Sequence, residues 1–137
     1  MDWIECNKKG IVKEIKIDKN LVESLVNSSV KKMESQKLLP LSDITAASKI
    51  SLAYDSLREL LEAIAITKNS KVYNHECYCA FLKEILHESA LADEFNKFRK
   101  LRNSINYYGK DISETETKII LKEMIEFTEK IRILFFP

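Results

Sequence analysis

The residues best suited to do chemistry lie in the segment FRKLRNSINYYGKDISETE, residues 98–116. The segment predicts a helix that advances about 100° per residue, so Arg102 falls about 20° from Phe95, inside the apolar stripe. A buried guanidinium without a partner is costly, so Arg102 must meet a carboxylate, an anionic ligand, a partner chain or solvent in a cleft. Because guanidinium groups fork onto phosphate oxygens, one interpretation is an anion- or phosphodiester-binding site.

The other interpretation of Arg102 is a structural ion pair. Asp55, Glu59 and Glu62 recur at helical spacing in the preceding predicted helix, and any of them is a candidate partner. Asn106 borders the arginine on its own helix and is a further candidate contact. A single helix supplies the three carboxylates, so they indicate a solvated face or an arginine partner rather than a metal site. We therefore expect neither a metal nor a cofactor, and both interpretations of Arg102 stay open.

Two segments of the chain resemble a known family. FRKLRNSINYYGKDIS, together with YDSLRELLEAIAITKNSKVYNHECYCAFLKEIL at residues 54–86, resembles the signature segments of an archaeal HEPN-like subgroup. HEPN domains are small helical bundles found beside nucleotidyltransferases or in toxin–antitoxin and defence systems. The resemblance implies a homodimer that binds RNA or nucleotide phosphates. It allows either an atypical metal-independent ribonuclease or a catalytically inactive binding module that accompanies a nucleotidyltransferase.

The resemblance also assigns site residues. Ribonuclease members carry an arginine, a polar residue and then a histidine a few positions later; Arg102 and Asn103 match the first two. The histidine is missing, and Tyr107, Tyr108 and Gly109 stand where it is expected. A phenol with an unperturbed pKa of about 10 is a poor base at neutral pH. Tyr107 is therefore expected to orient a phosphate, stack on a base or pack at the helix end, and Tyr108 to lie in the core.

His75, in the sequence YNHEC, is the histidine with a candidate catalytic role. It falls in the first turn of a predicted helix, where a positive charge is disfavoured, so a neutral ring is expected. A neutral imidazole can serve as a base if the fold brings it near Arg102. The structural alternative is that His75 and Glu76 only cap the helix through local hydrogen bonds.

Composition predicts the fold class. The chain has 137 residues, 45% hydrophobic and 31% charged, which is typical of a single soluble globular domain covering residues 1–137. It contains only 2 glycines and 2 prolines. Few turn residues favour long helices. We therefore expect an all-α, up-and-down bundle of four to five helices with a short N-terminal extended arm.

Local signals place the elements. The arm is predicted at Gly10–Ile17, and Gly109 and Ser113 are predicted to end one helix and to cap the next. A capping box is also predicted at Asn20. Phe135 and Phe136, at the end of the chain, are expected to pack on the bundle or on a second subunit. The predicted helices begin at 18 or 20, 42, 75, 90 and 113, and end near 37–39, 67, 87, 107 and 134, respectively.

Charge and cysteine content limit the location and partners. Lys and Arg total 22 against 21 for Asp and Glu, so net charge gives no sign of a nucleic-acid binder, although a local patch is possible. No apolar run approaches the ~20 residues of a membrane span. We expect a cytoplasmic protein with no membrane partner and with Cys6, Cys77 and Cys79 reduced. Cys77 and Cys79 would point about 200° apart on one helix and cannot share a metal ion.

Overall fold

A computed structural model describes all of residues 1–137 and shows a bundle of helices with one two-stranded sheet. This confirms the all-α bundle expected from composition. Its elements in chain order are α1 (Trp3–Lys8), β1 (Val12–Glu14), α2 (Lys19–Leu38), α3 (Ala46–Thr67), β2 (Ser70–Val72), α4 (Cys77–Ala80), a π-helical turn (Phe81–Ile85), α5 (Ser89–Tyr108) and α6 (Glu114–Phe135).

The centre of the bundle is α3, which packs on α2, α5 and α6. Fourteen of its 22 residues are buried; Ile64, Ala65 and Ile66, for example, are consecutive and all buried. Its charged residues Asp55, Arg58 and Glu62 are half-buried, so little of this helix faces solvent. Aromatic side chains of α5 and α6 complete this core, with Phe98 and Phe127 packed edge to face at 5.7 Å between ring centroids.

The N-terminal ends of α2 and α3 differ in detail from the prediction. Asp18 caps α2 by accepting the Leu21 N–H at 3.0 Å, which confirms the first of the two predicted starts, 18 or 20, whereas the capping box predicted at Asn20 is wrong. Ser42 accepts the Thr45 N–H at 3.2 Å in a turn that precedes α3, and the helix itself begins at Ala46. The predicted ends near 37–39 and at 67 are confirmed.

The predicted arm forms β1, which pairs antiparallel with β2 so that Val12 lies opposite Val72. We predicted a loop at β2, because a strand of three residues gives too little alternation to detect. The short helix α1 was not predicted either.

The segment predicted as one helix over residues 75–87 is divided. Asn74 Oδ1 accepts the Glu76 N–H at 2.8 Å and closes a turn that contains His75, so α4 begins only at Cys77. The π-helical turn follows, in which the Leu86 N–H donates to the Phe81 carbonyl at 3.0 Å. His75 therefore lies on a turn instead of in the first turn of a helix.

The connection between α5 and α6 follows the sequence signals closely. Gly109 ends α5 with a left-handed φ of 63°, where a side chain would be strained. Ser113 accepts the Glu116 N–H at 3.1 Å and caps α6. Phe135 and Phe136 are half-buried and pack against the core of their own chain.

A disulfide joins Cys6 of α1 to Cys77 of α4, and both residues are fully buried. The expectation that all cysteines are reduced is therefore wrong. Only Cys79 is free. The disulfide could not be predicted from the sequence because the pairing depends on α1, which places Cys6 beside a residue 71 positions further along the chain. No helix in the bundle combines the length and the apolar character needed to cross a lipid bilayer.

Candidate functional site

A cleft of about 410 Å³ opens between the C-terminal half of α5 and the turn that precedes α4; we call it the Arg102 cleft. All four residues with a predicted catalytic role line it: Arg102, Asn103 and Tyr107 from α5, and His75 from the turn. Asn74, Glu76 and Arg99 complete its lining. The fold thus brings together residues 75 and 102, whose proximity the sequence could not show.

Arg102 forms no ion pair, so the structural interpretation of this residue is wrong. Glu59 pairs instead with a lysine of α2. Glu62 pairs with Arg58 at 3.1 Å and with a lysine of β2 at 2.5 Å. Asp55, half-buried on α3, makes no ion pair with any residue. The three carboxylates that were candidate partners are therefore engaged elsewhere or unpaired, and the guanidinium lacks a protein anion.

Two tyrosine rings hold the Arg102 guanidinium in place. Its central carbon lies 5.3 Å from the ring centroid of Tyr54 and 5.7 Å from that of Tyr107. Nη1 donates to Tyr107 Oη at 3.3 Å, while Nε is buried without a hydrogen-bond partner. Aromatic faces attract a cation but accept few hydrogen bonds. Arg102 is consequently positioned, charged and short of acceptors, which is the condition of an arginine that binds an anion.

His75 is held by the same buried tyrosine. Its Nδ1 lies 3.0 Å from Tyr54 Oη, and burial raises the pKa of Tyr54, so this phenol is neutral at ordinary pH. Burial, followed by the positive charges of Arg58 and Arg102, lowers the pKa of His75 to about 4, against an opposing effect of Asp55. The neutral ring that we predicted therefore follows from burial and nearby arginines. Nε2 makes no hydrogen bond in the protein and is open to solvent.

This lowered pKa predicts a pH dependence of stability. The unfolded chain binds a proton at His75 at about pH 6.5, whereas the folded chain binds it only near pH 4. The unfolded state therefore holds more protons between these values, so this contribution to stability is complete above about pH 6.5 and is lost as the pH falls towards 4. Nitrogen NMR of the imidazole rings measures the titration directly, with His75→Gln to assign the signal. A His75 midpoint above pH 6 would contradict the burial argument.

The remaining candidates lie at the edge of the cleft or outside it. Arg99 donates to Asn96 Oδ1 at 2.8 and 3.2 Å, which fixes its head at the cleft wall. Asn106 faces α3 and accepts from Ser51 at 3.3 Å, so it does not join the site. Tyr108 is 84% exposed, and its predicted place in the core is wrong. Residues 106–111 are all exposed because the last turn of α5 projects beyond the core.

Tyr54 is the site residue that sequence reasoning missed. It lies in the apolar stripe of α3 and reads as an ordinary core residue, yet its ring contacts Arg102 and its hydroxyl contacts His75. The available signal was the hydroxyl itself, since a buried tyrosine hydroxyl requires a hydrogen-bond partner. No three His, Cys, Asp or Glu side chains come together in a way that would hold a metal ion.

No model of a known protein family matches the chain, and no curated protein sequence matches it.

Proposed function

We propose that the Arg102 cleft binds a phosphodiester group of RNA and that the chain is a HEPN-like, metal-independent ribonuclease. The observation that carries the proposal is an arginine that forms no ion pair, in one cleft with a neutral histidine. Phosphate is the anion that matches a guanidinium fork, and imidazole is the side chain best suited to proton transfer. This role places the protein in the cytoplasm, where RNA is made and degraded.

Binding relies on hydrogen bonds with charged donors. The Arg102 Nη atoms offer N–H groups to the phosphate oxygens, and Arg99 adds positive charge from the adjacent turn of α5. The side-chain amide of Asn103 makes no hydrogen bond within the protein, so it is free to orient an oxygen. Tyr107 is 69% exposed and presents its ring to a base. Stacking of this kind is tolerant of sequence, so we expect little base preference.

Cleavage uses the 2′-hydroxyl of the RNA as nucleophile. In the tautomer with its proton on Nδ1, His75 donates to Tyr54 Oη and leaves the Nε2 lone pair facing solvent. Nε2 takes the 2′-hydroxyl proton as the 2′-oxygen bonds to phosphorus. The bond from phosphorus to the 5′-oxygen breaks, and that oxygen takes a proton from water. The hydroxide left behind removes the proton from Nε2, which returns His75 to its neutral form. The products are a 2′,3′-cyclic phosphate and a 5′-hydroxyl, and Arg102 stabilises the negative charge of the transition state.

The low pKa of His75 fits this scheme once RNA is bound. In the free protein, the charges of Arg58 and Arg102 add to burial in opposing protonation. A bound phosphate supplies a negative charge beside the ring and offsets those two cations, so protonation becomes easier in the complex. The base is therefore neutral before binding and becomes stronger when the substrate is present.

The test is cleavage of a fluorescent single-stranded RNA by the purified protein with metal ions chelated. We expect His75→Gln to lower the cleavage rate by about 100- to 10,000-fold, the usual effect of losing a general base. RNA affinity should change by less than about threefold, since binding rests on Arg102. The same strand with a 2′-deoxy sugar at every nucleotide is the matched substrate control and should stay intact. Full activity in His75→Gln would exclude this residue as the base.

The second candidate function is a catalytically inactive, dimeric binding module that accompanies a nucleotidyltransferase. Apolar side chains at the end of α6 favour a protein contact, because Ile133 is 73% exposed and Leu134 is 47% exposed. RNA binding without cleavage by the parent protein, together with a dimer in sedimentation, would select this alternative.

A further inference from the structure

A second cleft, of about 450 Å³, lies where the end of α2, the start of α3 and the first half of α6 meet. Four lysines line it, Lys37, Lys49, Lys118 and Lys122, and we call it the lysine cleft. It shares no lining residue with the Arg102 cleft. Neither the HEPN resemblance nor the proposed ribonuclease activity uses it.

The inner wall of the lysine cleft is polar and buried. Lys49 is only 5% exposed, and its ammonium donates to the carbonyls of Gln36 and, at 2.6 Å, of Leu39 at the end of α2. The third N–H of Lys49 has no partner, and no carboxylate pairs with it. Gln36, also in the wall, is 2% exposed, and its Oε1 lacks a hydrogen-bond partner. This wall therefore retains unused hydrogen-bonding capacity inside the fold.

The rim of the cleft carries positive charge that the protein does not neutralise. Lys118 and Lys122 lie one helical turn apart on α6, and neither forms an ion pair. Like charges at this spacing destabilise a helix. Lys37 meets only Glu34, at 3.4 Å on the exposed surface, and Glu126 is the single carboxylate in the cleft lining. An anion with two negative charges would relieve the repulsion between these lysines.

The side walls are apolar, formed by Leu41, Leu121 and Ile125. The volume falls in the range of small-molecule sites, which combine apolar walls with a few polar groups. Lysine binds phosphate as a point charge, and a phosphomonoester carries the charge that this rim requires. We propose that the lysine cleft binds a phosphomonoester that carries an aromatic ring whose faces pack on the apolar walls, a ligand of the size and chemistry of a nucleoside monophosphate.

Adenosine monophosphate is the probe for the test, with adenosine and inorganic phosphate as its two halves. We expect calorimetric titration of the intact protein to give a Kd for the monophosphate at least tenfold below that of either half. The double variant Lys118→Gln/Lys122→Gln should weaken binding of the monophosphate at least tenfold. Both lysines are exposed, so the fold should persist.

Two matched variants locate the binding. Lys110→Gln/Lys130→Gln removes the same charge from exposed positions that line neither cleft and should leave the Kd unchanged. Arg102→Ala should also leave it unchanged. The proposal is overturned if the monophosphate does not bind, if either half binds as tightly as the whole, or if affinity depends on Arg102 instead of the two lysines.

Discussion

Arg102→Ala is expected to weaken RNA binding by about 10- to 100-fold with little change in thermal stability. A hydrogen bond to a charged group contributes about 1.5–3 kcal/mol, and about 1.4 kcal/mol corresponds to a factor of ten in affinity. Stability should change little because Arg102 forms no ion pair and contributes mainly contacts with two tyrosine rings. Each of the two contacts is worth about 1 kcal/mol, so the melting temperature should fall by no more than about 8 °C.

Fluorescence anisotropy with a 2′-O-methyl RNA, which cannot be cleaved through its 2′-oxygen, measures the affinity alone. Arg102→Lys keeps the charge without the fork and should lie between the parent and Arg102→Ala. Lys100→Ala, an exposed neighbour on α5 outside the cleft, is the matched control. A plot of the logarithm of RNA affinity against the logarithm of salt concentration should be less steep for Arg102→Ala, by a slope of about one. An unchanged Kd, combined with a large loss of melting temperature, would make Arg102 a structural residue.

Opening the Cys6–Cys77 disulfide is expected to lower the free energy of unfolding by about 4 kcal/mol. The bond closes a loop with a sequence separation of 71, and the unfolded chain regains the entropy of that loop when the bond opens. For a chain of this length the loss corresponds to a fall in melting temperature of roughly 10–15 °C. Urea denaturation with and without a thiol reductant measures it.

Cys79 supplies the control for this experiment. It is the free cysteine and is two residues from Cys77, so Cys79→Ser should preserve both the stability and the response to reductant. Cys6→Ser should have the same stability as the reduced parent, and reductant should not lower that stability further. A denaturation midpoint that is the same with and without reductant would show that the bond does not stabilise the protein.

The sequence predicts the part of the fold that local chemistry specifies. α5 and α6 lie within one or two residues of their predicted bounds, because Gly109 and Ser113 define the helix ends without help from the rest of the chain. Helical periodicity likewise placed Arg102 in an apolar stripe. It could not place Tyr108, because exposure at the end of α5 depends on where the neighbouring helices stop.

What the sequence did not predict depends on contacts between distant segments. Helical periodicity indicated that Glu59 and Glu62 could form ion pairs with Arg102. In the structure they form ion pairs with basic residues of α2, α3 and β2 instead. The disulfide requires α1, and this helix is too short for a helical repeat of apolar residues to be recognised in the sequence. The pairing of His75 with Tyr54 also needs the tertiary fold, since the two lie on different elements. The candidate residues of the site were thus predictable, and their partners were not.

The most direct test of an RNA site in the Arg102 cleft is nitrogen NMR of the labelled protein, titrated with a short 2′-O-methyl RNA. Signals from the side chains report on the site itself: Arg102 Nε–H, whose nitrogen has no partner in the free protein, the His75 ring and the Asn103 amide. We predict that these three move together and saturate at one RNA concentration, while signals from the lysine cleft do not change. An unmoved Arg102 and His75, with shifts elsewhere or none at all, would contradict the account.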